Sequence, residues 1–196
     1  MSSLTPWIIA LWIVVAMVVA TALFAVVVYN GLVRARQLVA EAWSGIAVQL
    51  KRRADLVPNL LASVQGYMDH ERELLREVTE ARARAGATGD AHPAERARAE
   101  GAFGAALGRL LAVAENYPDL KASQNFIDFQ QTLAMIENEL QLSRRYYNGT
   151  VRQFNTRVQQ FPTNLIAGTF GFKLAEFFAL EDPNDAAVPQ VRFQRS

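Results

Sequence analysis

Two histidines, His70 and His92, and the absence of cysteine limit the chemistry open to this 196-residue chain. His70 stands in a run with Asp69, Glu73 and Glu77, whose spacings of three and four predict one shared helix face. A metal held there would have one imidazole and two carboxylates, without the paired Glu-x-x-His segments of a di-iron bundle. The segment HEREL, starting at His70, lacks the second histidine of a zinc-protease helix. The face therefore reads as solvated and partly ion-paired, and no metal is expected. His92 falls in loop chemistry and is given no role. Two histidines in these settings allow no Ser-His-Asp arrangement, and zero Cys excludes thiolate nucleophiles, disulfides and cysteine-based metal sites. Gly101-x-x-Gly104 follows no strand, so it is no phosphate loop. Asn148-Gly149-Thr150 fits the glycosylation sequon but lies inside a long helical run. The expectation is no catalytic residue, no cofactor and no enzyme activity.

Residues suited to docking are easier to find. Between Leu140 and Ala175 stand Arg144, Arg145, Arg152, Arg157 and Lys173, with no acidic side chain among them. Arg145 and Arg152, seven apart, share an outer helix face, and Tyr146, Tyr147, Asn148 and Asn155 add rings and hydrogen-bonding groups. A solvated face with ion pairs inside a bundle accounts for this pattern. The functional alternative is a patch for anionic headgroups or an acidic partner, to which each well-placed Arg adds about 1 kcal/mol. Downstream, Phe170, Phe172, Phe177 and Phe178 lie in an apolar segment from Leu165 to Leu180, with Phe161 at its entry. That segment predicts a helical turn or two and then an irregular strap. The strap either closes the bundle end or presents an apolar patch to a partner or a membrane. The candidate interaction surface is thus Arg144, Arg145, Arg152, Arg157, Phe170, Phe172, Phe177 and Phe178.

The elements that must carry these residues begin with an anchor. Trp7 to Val28 is 22 residues with Thr21 as its one polar side chain. As a helix it spans ~33 Å, enough for a bilayer core of ~30 Å. A cleaved signal peptide would want basic residues before the run and a shorter apolar core. Here the first 33 residues hold no Lys or Arg, and the cleavage-like Ala20-Thr21-Ala22 is followed by further apolar chain. Trp7 and Tyr29 bracket the run as interfacial rings. Basic residues only downstream (Arg34, Arg36, Lys51, Arg52, Arg53) predict an N-terminus outside and a C-terminal domain in the cytoplasm, the Asp90 loop included. The expected divisions are a short segment 1–6, a transmembrane helix 7–28, a bundle 29–180 and a disordered tail 181–196. Net charge is +1, which argues against nucleic acid as a partner.

Beyond the anchor the pattern is helical. Apolar residues at Leu32, Val39, Trp43, Ile46, Leu50, Leu60, Leu61, Val64, Met68, Leu75 and Val78 predict one stripe. They read as a single element from the anchor to about Ala85, kinked at Pro58, the alternative being a new helix capped by Asp55. GATGDAHP, from Gly86 to Pro93, is a loop, with Thr88 or Asp90 available to cap the helix that follows. That helix is expected over about Ala94 to Asn116, with Ala99, Phe103, Leu107, Leu110, Leu111 and Ala114 inward. Gly101, Gly104 and Gly108 there are taken to allow close helix approach. Phe126, Leu133, Leu140, Tyr147, Phe154 and Phe161 recur every seven residues and form a seam, with Ser123 as cap and Pro162 as stop. The seam suits an ordinary bundle helix or a self-associating coiled coil. The fold class is all-α: an N-terminal transmembrane helix continuing into an elongated antiparallel bundle of three long helices plus a short C-terminal helix or strap.

Several segments carry a resemblance: YNGLVRAR from Tyr29, AWSGIAVQLKRRADLVPNLL from Ala42, GYMDHE from Gly66 and EVTEARARA from Glu77. To these add LGRLLAVAENYPDLKASQNF from Leu107 and SRRYYNGTVRQFNTRVQQFPTNLIAGTFGF from Ser143. In this order, from Tyr29 to Phe178, the chain resembles the LemA family. The resemblance implies a single anchor followed by a long antiparallel helical bundle, with no established catalytic residue. Where members often carry an acid in the AWSGI-x-VQ stretch this chain has Ala47, which weakens cation binding there. The expected function is a non-catalytic, membrane-anchored scaffold or adaptor at a bacterial-type cell membrane, self-associating in the membrane plane. The alternatives are an adaptor for a membrane-bound protease or envelope complex, and a hydrolase working with carboxylates alone. Expected partners are the lipid bilayer, a second copy and a membrane protein, with no small-molecule substrate evident.

Overall fold

The apolar run does not end its helix where its hydrophobicity ends. In the computed structural model, which describes residues 5–89 and 91–178, helix α1 spans Thr5–Val64. It is followed by α2 (Arg72–Ala87), α3 (Pro93–Ala114), α4 (Pro118–Lys121), α5 (Gln124–Gln159) and α6 (Thr163–Thr169). Among the described residues there is no strand, so the chain is all-α with a long apolar N-terminal helix. Asp90, most of the expected segment 1–6 and the expected tail 181–196 lie outside the described residues. The described chain divides into two compact units. One takes residues up to Trp43 with Gly149–Ala175, the other Ser44–Asn148 with the chain from Glu176 onward.

Pro58 neither ends nor caps a helix. It sits exposed inside α1, and Asp55 pairs with Lys51 at 2.7 Å. A proline in a helix interior lacks its N–H and pushes on the carbonyl four residues back, so the Ala54 oxygen loses its helical donor. Arg82 of α2 replaces it, its Nε donating to that oxygen at 2.6 Å. With the defect repaired from outside, α1 continues through Val64 and the break comes later. Residues 65–71, with Gly66 in the turn and Met68 fully buried, separate α1 from α2, so the single element expected to reach Ala85 is two helices.

In the second unit the core joins the end of α1, α2, α3, α4 and the start of α5. Val57, Leu60, Val64, Met68, Val78, Phe103, Leu107, Leu110, Leu120, Phe126 and Leu133 form one buried cluster. Ser123 precedes α5, and the Phe126 N–H points at its hydroxyl at 3.4 Å, a long cap bond. The seven-residue seam packs inward through Phe126, Leu133, Leu140, Tyr147 and Phe154, all buried. Phe161 breaks the pattern: α5 has ended at Gln159, and the ring is 73% exposed.

Among the described residues of this unit, three charged side chains are buried: Arg53, Arg96 and Glu100. The Arg53 guanidinium donates to Glu100 Oε2 at 2.6 Å, to the Glu100 carbonyl at 3.1 Å and to Glu137 Oε1 at 2.8 Å. It also lies 5.1 Å from the Phe103 ring centroid. A Cβ added at Gly104 would meet Arg53 Nη1 at 3.6 Å, an ordinary van der Waals contact, so the guanidinium does not require a glycine there. Gly108 has nothing within 4 Å of such a Cβ, and close packing is not its reason.

The Pro58 repair is open to a double-mutant cycle on the full-length protein in detergent. Arg82→Met should lower the unfolding free energy by about 1–3 kcal/mol, the range for a hydrogen bond from a charged donor. In a Pro58→Ala background the helical N–H returns, and the same change should cost less than half as much. Equal costs in both backgrounds would show that Arg82 does not answer the proline.

Candidate functional site

The strap, residues 170–178, is held by primary amides. In the first unit Asn155 of α5 accepts the Ala175 N–H on Oδ1 at 2.8 Å and donates from Nδ2 to the Ala175 carbonyl at 2.9 Å. In the second unit Asn148 does the same to Phe178, at 2.9 Å and 3.1 Å. A carboxamide offers one acceptor and two donors, so it can satisfy both polar groups of one extended residue as a neighbouring strand would. The Tyr147 hydroxyl adds a donation to the Glu176 carbonyl at 2.8 Å. Phe178 is thereby buried, and the Arg144 guanidinium stacks 5.7 Å from its ring centroid.

This sorts the residues of the expected surface. Phe178 is removed from it, because the Asn148 clamp seats its ring inside the unit, and Arg144 is half-buried over that ring. Asn148, Asn155 and Tyr147 bind the strap instead of standing ready for a partner. Arg145 and Phe177 remain exposed in the second unit. In the first, Arg152 and Phe170 are exposed, Arg157 donates to the Gly31 carbonyl at 3.3 Å, and the half-buried Phe172 ring carries the Arg36 guanidinium at 5.3 Å.

The run around His70 does not lie on one helix face. Asp69 and His70 lie in the turn before α2, while Glu73 pairs with Arg76 at 2.7 Å and Glu77 with Arg109 of α3. Among the described residues no group of three His, Asp or Glu side chains is placed to hold a metal. His92 occupies the N-cap position of α3, with Nδ1 3.9 Å from Glu176 Oε1. The residues that sequence reasoning missed are Arg53, Arg96 and Glu100. Each sits at a core step of its helix, 46-50-53-57-60 in α1 and 96-100-103-107-110 in α3, and a charge inside such a stripe was the available signal.

A cleft of about 630 Å³ lies on the second unit between α1 and α5, with Leu56, Met135 and Ile136 in its apolar lining and Arg52, Asp55 and Glu139 in its polar lining. Met135 is 62% exposed. Thr132 also lines the cleft, its hydroxyl donating to the Asp128 carbonyl at 2.8 Å.

Residues 42–193, which cover the bundle, match the LemA family. The chain belongs to the LemA family. It is 30% identical over 138 residues to Protein LemA of Metamycoplasma hominis, a match covering 70% of this chain and 63% of that one. It is also 34% identical over 95 residues to Magnetosome protein MamQ 2 of Paramagnetospirillum magneticum, covering 47% of this chain and 35% of the relative. The chain thus spans about a third of the length of the magnetosome relatives it matches. The α1 surface of this LemA-family protein is exposed from Trp7 to Val27 but for intermediate exposure at Ala25, and its most apolar window has no residue buried by the rest of the chain. Family membership and this bare apolar helix make it a membrane-associated protein.

Burial and the nearby Glu176 carboxylate push the Tyr147 hydroxyl up to about 12. The raised value means that folding favours the neutral phenol over an unfolded tyrosine near 10. Its contribution is therefore complete below about pH 10 and lost as pH rises towards about 12. Urea unfolding of the full-length protein followed across that window should show a fall in stability that is absent in Tyr147→Phe. The same alkaline fall in both proteins would mean that Tyr147 does not hold the strap.

Proposed function

We propose that this protein is a non-catalytic scaffold, anchored by the span 7–28 with its N-terminus outside and its bundle in the cytoplasm, and self-associating in the membrane plane. The observation that carries the reading is the α1–α5 cleft. Its apolar floor includes an exposed methionine, a flexible side chain suited to contact surfaces. Its polar lining mixes Arg52 with Asp55 and Glu139, a pattern that pairs with itself across a two-fold axis. The groups with most chemical potential, Arg53, Glu100, Asn148, Asn155 and Tyr147, are occupied in holding the fold. The magnetosome relatives are named for a cellular structure, not for a reaction, which agrees with a scaffold role. Orientation rests on the charge asymmetry across the span: Arg34, Arg36, Lys51 and Arg52 follow it, and the first 33 residues hold no basic side chain. Tethering in two dimensions raises effective concentration, so a modest contact suffices.

One preparation tests both halves. The intact protein in mild detergent should give a discrete oligomeric mass, shifted to monomer by Met135→Glu. In intact cells, a single Cys replacing Gln141 should react with an impermeant maleimide only after lysis. A monomer throughout would remove the self-association, and labelling before lysis would reverse the orientation.

A further inference from the structure

The first unit gathers exposed apolar and basic side chains at one level, just past the end of the span. Tyr29 directly follows Val28, and its ring meets Phe170 at 4.8 Å and Phe172 at 5.7 Å between centroids. The chain following α6 is thus pinned to the first residue beyond the apolar run. The bond from Arg157 to the Gly31 carbonyl sets the last turn of α5 at the same level. Gly31 lies three residues past Val28, ~4.5 Å along the axis, and the headgroup region of a bilayer is roughly 5–7 Å thick on each side. When the span fills the hydrocarbon core, a side chain at the level of Gly31 stands in the headgroup layer.

The surface at that level is built for such a layer. Phe161, Leu165 and Phe170 are 73%, 60% and 58% exposed, more than the isolated apolar residue of a watery surface. Arg34, Arg36, Arg157 and Lys173 belong to the same unit. Glu41, its sole acid among the described residues, is ten residues beyond Gly31, ~15 Å further along α1. We propose that α6 and its flanks form an interfacial collar. Phe161, Leu165 and Phe170 enter the headgroup–acyl boundary of the membrane the span crosses, and Arg157 and Lys173 bind the phosphates of anionic phospholipids. Continuity with the span and the sign of the charge select this occupant. The collar rests on the anchoring proposed above but not on self-association.

The absence of Cys allows a direct test with the full-length chain in nanodiscs of phosphatidylcholine mixed with phosphatidylglycerol. Spin labels go on Phe161→Cys and Leu165→Cys, with Val18→Cys marking the span and Gln141→Cys the exposed surface of the second unit. The labels at 161 and 165 should be accessible to oxygen and protected from a water-soluble nickel chelate, at a shallower depth than the label at 18. Lys173→Gln should reduce the immersed-to-exposed ratio at 161 and 165 about fivefold, the effect of one basic contact with an anionic surface. Phosphatidylcholine alone should reduce it at least as far. If the label at 18 is in lipid while those at 161 and 165 are as nickel-accessible as that at 141, the collar is wrong and the anchor stands. Protection from both reagents would mean that protein covers the patch, again overturning the collar. A nickel-accessible label at 18 would end the anchoring reading and the collar with it.

Discussion

The fold of the second unit depends on one buried guanidinium. Arg53 sits where a leucine would be expected, on the inward stripe of α1, and must be satisfied there or not be buried at all. Glu100 supplies a carboxylate and a carbonyl from α3, Glu137 a second carboxylate from α5, and the Phe103 ring covers a flank. Apolar contacts alone are non-directional and fix a helix's register less sharply than a paired charge. The ion pair permits one register, since a shift of one turn would strand a desolvated charge. The same register then brings Arg82 to the carbonyl that Pro58 releases.

Several polar side chains of this fold hold its own elements together. The strap makes the same point with neutral groups. Two asparagines on α5 each serve both polar groups of one strap residue, so an irregular segment is fixed without a strand to pair with. What faces outward includes a cleft lined by Leu56, Met135 and Ile136, several exposed cations and the rings of Tyr29 and Phe170 just past the apolar run of α1.

Much of this was legible in the residues. The apolar run, the seven-residue seam from Phe126 to Phe154 and the loop before Pro93 follow from periodicity and composition, and the structure has them. Continuity through Pro58 was expected and α1 has it; what the residues did not show is that Arg82 answers the proline and that the helix breaks at residues 65–71 instead of running to Ala85. The Asn148 and Asn155 clamps were hidden for a related reason. Their partners are backbone groups of the strap, which leave no trace in residue identity, so both amides read as free for docking. Arg53, Arg96 and Glu100 are legible in the residues, since each interrupts an apolar stripe at a core step.

The claim that the Arg53–Glu100 pair fixes the register is tested most directly by unfolding Arg53→Met, Glu100→Met and the double variant in detergent. Arg53→Met strands the buried Glu100 carboxylate and should cost about 3–5 kcal/mol, Glu100→Met leaves Arg53 with Glu137 and should cost less, and the double variant should cost less than Arg53→Met alone. Single variants within about 0.5 kcal/mol of the parent, the range of ordinary surface changes, would contradict the account.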